Sequence, residues 1–235
     1  MKYAASLDAV RSAVRAMAAS HGGGRPAEPK IALPPVVTIS RQAGVTASAV
    51  GHRLIEILNE GHPGPSPWLE YDRQLVERIA EDHNLSQDLV ARFDERDRSW
   101  FEHFARGITG AATGTDIAMK VAQTIRALAW VGRAVIIGRG GQAILAGMKH
   151  VVHVRLIAPL EWRAEQYPHH VDAAPGEAEQ ILRKIDAERA RYVKQHFNRD
   201  VSDLSLYDLT INMARVSTDR AAGIIARAVE SLDLP

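Results

Sequence analysis

Cysteine is absent from the 235 residues, which excludes structural disulfides and thiolate-bound zinc or iron–sulfur centres and accords with a reducing compartment. Long apolar runs are missing as well: no stretch approaches the roughly 20 residues that a membrane span needs. Asp8, Arg11 and Arg15 also interrupt the N-terminus where a secretory signal would be apolar. The expectation is a soluble, cytoplasmic protein with no membrane partner. Aromatic residues make up only 6% and do not interleave with basic ones as in single-strand binders, and a formal net charge of +1 gives no global pull on nucleic acid. No nucleic-acid partner is expected. The ten histidines contain no H-E-x-x-H pattern, so no metal site is read from spacing, and no G-x-S-x-G elbow starts a nucleophilic triad. Lysine supplies only six of the 29 basic residues, and no Gly-Lys dipeptide occurs anywhere. Phosphate binding must therefore rest on backbone amides and on arginine, whose planar fork suits bidentate contacts to phosphate oxygens.

What is present begins with Val36-Val37-Thr38-Ile39-Ser40, an apolar, β-branched run that reads as a buried strand. Arg41-Gln42-Ala43-Gly44-Val45-Thr46-Ala47-Ser48 follows, and Val50, Leu54, Ile57 and Leu58 then recur at helical spacing. Strand, small-residue loop and helix start is the arrangement in which α/β proteins hold phosphate on free N–H groups and the positive end of a helix dipole. Yet the G-x-x-x-x-G-K-[ST] signature is missing: Ala47 and Ala49 stand where a kinase loop places its Lys and its Mg²⁺-binding hydroxyl, with Thr46 and Ser48 out of register. An ordinary tight turn is the alternative. Arg41 beside the loop is the candidate replacement for the lysine charge.

Further along, Leu7, Val10, Val14 and Met17 mark a short amphipathic helix, and His21-Gly22-Gly23-Gly24-Arg25-Pro26 through Pro35 a tether. Residues 1–34 are thus an accessory helix and a Gly/Pro-rich linker. Fewer than two heptads favour packing on the helix's own domain over a homodimer seam. A short strand at Trp68-Leu69-Glu70-Tyr71 precedes a helical section from Asp72, an N-cap-type residue, to about Arg98, with a second cap at Ser86. Glycines between Trp100 and Thr115 suggest a mobile connection, and helix resumes from Asp116 to Trp130. Three more strands are expected at 134–137, 151–157 and 206–212, each followed by a helical pattern. Alternating strands and helices predict an α/β parallel sheet covered on both faces, with ligands at the carboxyl ends of its strands.

On that rim stands Ile137-Gly138-Arg139-Gly140, where glycines admit a close ligand and Arg139 is a candidate anion ligand rather than a solvated turn residue. In the later helix around Ile181, Ile185, Glu188 and Tyr192, Arg189 sits at the edge of the apolar face while Arg191 points elsewhere. Asp72 reads as a metal-facing carboxylate and Asp208 as a strand-end carboxylate, or each equally as a cap or turn residue.

Six motifs in order resemble the cytidylate-kinase-like family of P-loop phosphotransferases: Thr38-Ile39-Ser40-Arg41-Gln42-x-Gly44, Tyr71-Asp72-Arg73, Val135-Ile136-Ile137-Gly138-Arg139-Gly140, Ala158-Pro159-Leu160-Glu161-Trp162-Arg163, Asp186-x-Glu188-Arg189-Ala190-Arg191-Tyr192 and Tyr207-Asp208-Leu209-x-x-Asn212. The resemblance implies a three-layer P-loop kinase-like fold over 35–235 with a five-stranded parallel sheet, a helical acceptor-binding insertion at 72–132 and an arginine-bearing lid at 163–200. It further implies ATP and Mg²⁺ as cofactors and a small-molecule nucleotide as partner. Ser40, Arg41, Gln42, Gly44, Thr46 and Ser48 would meet the donor triphosphate. Asp72, Arg73, Arg139 and Gly140 would face the acceptor, Arg163 and Arg191 would contact substrate from the lid side, and Arg41, Arg139 and Arg189 would be catalytic. The turn Gly44-Val45-Thr46-Ala47 departs from the Gly-Ser-Gly-Gly of relatives, and Gly140 replaces the aspartate of cytidylate kinases proper. The expected activity is transfer of the ATP γ-phosphoryl group to a nucleoside monophosphate or similar acceptor. The alternatives are a catalytically inactive nucleotide- or anion-binding module and an empty-site scaffold.

Overall fold

The computed structural model describes residues 12, 33–61, 66–82, 114–167 and 176–232. The expected N-terminal helix, the helical continuation to Arg98 with its cap at Ser86, and nearly all of the connection between Trp100 and Thr115 lie outside the described residues.

Along the chain run β1 (Val36–Arg41), α1 (Ala47–Gly61), β2 (Leu69–Tyr71), α2 (Arg73–Glu81), α3 (Gly114–Val131), β3 (Ala134–Ile137), α4 (Gly141–Ile144), β4 (Val151–Ile157), α5 (Leu160–Gln166), α6 (Glu177–Phe197), a 3₁₀ turn (Leu204–Leu206), β5 (Leu209–Asn212) and α7 (Thr218–Glu230). The strands form one sheet in the order β2-β3-β1-β4-β5, and every neighbouring pair is parallel. Because side chains alternate across a strand, successive residues feed two different cores. Val37, Ile39, Val135, Ile137, Val152, Val154 and Leu156 pack under α1 and α7, whereas Val36, Ala134, Ile136 and Val151 pack under α2 and α3. Of the periodic residues of α1, Val50, Leu54 and Leu58 are fully buried as their spacing predicts, and Ile57 is partly buried against the same core. Each fully buried aliphatic side chain contributes about 1.5–3 kcal/mol. Among the described residues no helix is long and apolar enough to cross a membrane.

The second face is interrupted by a polar seam between β1 and β4. There Thr38 Oγ1 lies 2.7 Å from His153 Nδ1, and Arg155 Nη1 donates to Ser40 Oγ at 2.8 Å. The last strand is shorter than its apolar pattern predicts, starting at Leu209 instead of Leu206. The reason is local: Asp203 accepts from Ser205 N to cap the 3₁₀ turn, and the Asp208 carboxylate takes the His153 N–H at 2.7 Å. A side chain thus replaces the carbonyl that would otherwise extend the ladder.

Glu70 of β2 is buried against α1, where Gly51 leaves room: a Cβ there would stand 2.6 Å from Glu70 Oε2. That oxygen has His52 Nε2 at 3.4 Å but no hydrogen bond. Burial, reinforced by the charge of Asp72, pushes the Glu70 carboxyl up to about 7. Between the ordinary carboxyl range and pH 7 the folded chain therefore holds a proton that the unfolded chain has released, so stability falls as pH rises through this window. Glu70→Gln is expected to flatten that slope and to raise stability at pH 8 by up to about 3 kcal/mol. Chemical denaturation of both proteins at pH 5 and pH 8 measures it.

Candidate active site

β1 delivers its C-terminal Arg41 into the rim, and the five residues that follow make the turn into α1. Gly44 takes φ +81°, and its missing Cβ is required twice over, since one would lie 3.0 Å from both Arg163 Cβ and Arg163 O. Among the described residues of the loop only Gly44 has positive φ, so Val45 and Thr46 meet no backbone conflict despite their branching. The loop is shaped from outside. Asp186 Oδ1 of α6 accepts the Ala43 N–H at 2.7 Å, and Arg163 Nη1 donates to Ala43 O at 2.9 Å and to Asp186 Oδ2 at 2.6 Å. Gln42 Oε1 accepts from Ala158 N at 3.0 Å, tying the loop to the end of β4. Ala47 N turns back to Val45 O at 3.0 Å. Ser48 and Ala49 then carry first-turn N–H groups that a helix leaves without an internal acceptor, and the side chains of Thr46 and Ser48 are exposed beside them.

Opposite the loop, β3 ends in Gly138, Arg139 and Gly140, all at positive φ. The Arg41 guanidinium fills the place of a Gly138 side chain: a Cβ there would be 2.2 Å from Nη1. Phe197 of α6 covers Gly140 in the same way, with ring carbon Cε2 2.4 Å from the position a Cβ would occupy. Arg139 pairs with Glu77 of α2, its guanidinium lies 5.1 Å from the ring centre of Tyr192, and its Nε is buried without a hydrogen-bond partner. Arg189 Nη1 donates to Arg41 O at 3.2 Å.

Four guanidinium groups thereby meet. Burial, then the charges of Arg189, Arg139 and Arg73, bring Arg41 down to about 10, with only Asp72 opposing. Burial likewise lowers Arg189, where Asp186 opposes the shift and Arg73 and Arg155 add to it. Glu77 answers Arg139 and, at 3.4 Å, exposed Arg73, so the half-buried pair Arg41 and Arg189 is the part of this cluster best suited to an anion.

The structure thus gathers Arg41, Asp72, Arg73, Arg139 and Arg189, with Ser40, Gly44, Thr46 and Ser48 along the adjoining turn. Asp72 caps α2 by accepting from Leu75 N at 2.8 Å, the cap role read as the alternative to a metal-facing one, and Asp208 stands just before β5 as a strand-end carboxylate that accepts from His153 N. Arg163 is buried, its guanidinium taken up by Ala43 O, Ala158 O and Asp186, and so it holds the loop from beneath. Arg191 is exposed on α6. Sequence reasoning passed over Arg155 and the role of Asp186. The signal for Arg155 was His153 and Arg155 at a two-residue interval inside an apolar strand.

The sequence model of the cytidylate kinase-like family matches residues 36–215. The chain belongs to that family. Cytidylate kinase of Methanopyrus kandleri is 26% identical over 168 residues, covering 68% of this chain and 86% of the relative. That of Methanothrix thermoacetophila is 26% identical over 198 residues, covering 84% and 99%. A crystal structure of an uncharacterized protein from Eubacterium ventriosum superposes with a TM-score of 0.61 at 22% identity over 84% of this chain and 98% of that one, a likeness of fold. Membership of the cytidylate kinase-like family makes this a kinase-like phosphotransferase fold, with the arginine-lined rim on the edge where such sheets bind ligands.

Proposed function

We propose that the protein is a cytoplasmic phosphotransferase that moves the γ-phosphoryl group of MgATP to a nucleoside monophosphate or a similarly small phosphorylated acceptor. The observation that carries this reading is the convergence of Arg41, Arg73, Arg139 and Arg189; burial first, and then the charges of Arg189, Arg139 and Arg73, bring Arg41 down to about 10. An acceptor phosphate oxygen is already ionised at neutral pH, so catalysis reduces to positioning and charge stabilisation, and no general base is needed. Arg139, steadied by Glu77 and Tyr192, holds the acceptor phosphate. The Gly44 turn and the first amides of α1 receive the donor phosphates, and Arg41 and Arg189 take over the charge role of the missing lysine. Mg²⁺ carried by the triphosphate would supply charge neutralisation, and the exposed hydroxyls of Thr46 and Ser48 are the groups of this turn that could approach it.

A second reading, a nucleotide-binding module without turnover, is favoured by Ala47, which is 4% exposed with its N–H turned to Val45 O. Calorimetric titration with MgATP, followed by coupled ADP-release assays with CMP, dCMP, UMP and AMP, separates the two. Binding with acceptor-dependent release is expected. Binding without release selects the second reading, and no binding overturns both.

A further inference from the structure

Arg155 lies in the middle of β4 on the face that otherwise feeds the apolar core beneath α2 and α3, and it is 9% exposed. Its hydrogen-bond partners among the described residues are neutral. Nη1 donates to Ser40 Oγ at 2.8 Å and, more weakly, to Tyr207 Oη at 3.4 Å, and the guanidinium stands 5.5 Å from the Tyr207 ring centre. Tyr207 is itself held, donating to Val201 O at 3.0 Å. Among the described residues no carboxylate lies within ion-pair distance of Arg155, and its Nε and Nη2 find no acceptor. Neither nitrogen is among the fully buried polar atoms, so this edge of the guanidinium stays open to solvent or to a ligand, and an anion there would offset the cost of holding a cation so deep in the sheet. Arg155 acts on charges of both signs: it adds a minor part to the lowering of Arg189, which is chiefly burial, and to that of exposed Asp200, which is chiefly hydrogen bonding from Ser202. Arg41, by contrast, feels Arg189, Arg139 and Arg73. The positive charge thus has two foci, Arg41 with Arg73 and Arg139 as one and Arg155 as the other, and Arg189, bonded to Arg41 O, feels Arg155 as well.

We infer that Arg155, braced by the hydroxyls of Ser40 and Tyr207 and facing Arg189, is a second oxyanion subsite that grips a phosphate group of a bound nucleotide. The inference rests on the proposed phosphotransferase reading for its ligand class, and it extends the site below β1 to a residue buried inside the sheet. Ser40 Oγ and Tyr207 Oη hold one edge of the guanidinium and leave the other edge, Nε with Nη2, as a two-pronged donor suited to a phosphate. The phosphate comes either from the donor chain or from the acceptor.

Inorganic pyrophosphate, MgATP and CMP, each titrated separately into the full-length protein, test the assignment. Arg155→Met is expected to weaken pyrophosphate binding at least tenfold, the usual size of a lost charge-assisted contact, while Arg227→Met on the remote face of α7 leaves it unchanged. In ligand-free buffer Arg155→Met is expected to keep or raise Tm, because a buried cation gives way to an apolar side chain of similar length. Arg155→Lys, which keeps the charge but loses the fork, is expected to weaken binding by less. A matching loss for MgATP alone assigns the phosphate to the donor, and a loss for CMP alone to the acceptor. Unchanged affinity for all three ligands in Arg155→Met overturns the subsite and leaves Arg155 a structural residue. Should that variant not fold, unchanged affinity in both Arg155→Lys and Tyr207→Phe overturns it equally. Acceptor-dependent turnover bears on the phosphotransferase reading alone: with none, pyrophosphate binding that depends on Arg155 still upholds the subsite.

Discussion

Asp186→Ala is expected to lower the unfolding free energy by about 3 kcal/mol and to distort the turn after β1 at the same time. Asp186 makes two bonds that nothing nearby can replace, one to the Ala43 N–H and one to the Arg163 guanidinium. Arg163 is 7% exposed at its side chain, so losing the carboxylate strands a cation in a place water reaches poorly. At the size of this chain such a loss is a fall in Tm of roughly 6–12 °C. Asp186→Asn separates the two roles, since its amide oxygen still accepts from Ala43 N while its charge is gone, and about half the effect is expected. Thermal and denaturant unfolding of the two variants beside the parent measures this. Equal stability of parent and Asp186→Ala would refute the clamp.

Arg189→Met is expected to reduce kcat by about 10² to 10³, the range for removing one preorganised charge donor from a transition state, with little change in Tm. The contrast with Asp186 follows from what each side chain is bonded to. Arg189 makes one long bond to protein, 3.2 Å to Arg41 O, and the charge of Arg41 lowers its own gain from being there. Removing it relieves repulsion in the free protein and takes away stabilisation only when charge develops on the transferred group, so kcat moves more than KM. Arg189→Lys retains the charge without the fork and is expected to recover part of the rate. Steady-state kinetics with the acceptor identified by ADP release gives both numbers. A fall in KM-related binding alone, with kcat intact, would place Arg189 outside the transfer step.

Much of this architecture is visible in the chain before any coordinates. Val36 to Ile39, Ala134 to Ile137 and Val151 to Ile157 are β-branched runs of strand length, and each appears where its composition predicts. The end of the sheet was less legible because Asp208 imitates a backbone acceptor, which no periodicity reveals. The site divides in the same way. Arg41, Arg139 and Arg189 follow strand ends or sit on a helix edge, so their placement could be reasoned from topology. Arg163 carries the same residue type in an equally suggestive motif, yet it folds inward because Ala43 O, Ala158 O and Asp186 lie within its reach. Arg155 was hidden for the opposite reason: it lies in the middle of an apolar strand, away from any strand end or helix edge. Whether an arginine faces a ligand or a carbonyl is decided by partners distant in sequence, at separations such as the 115 residues from Ser40 to Arg155.

One helix touches both the turn after β1 and the glycines after β3. Along a single stripe of α6, Asp186 shapes the turn after β1, Arg189 meets the Arg41 carbonyl, Tyr192 lies under Arg139, and Phe197 covers Gly140. A slide or rotation of that helix cannot move one contact without the rest, and donor and acceptor would therefore share a common mechanical element. By reciprocity of linked equilibria, a donor that tightens the hold on the acceptor is itself held more tightly by the same factor.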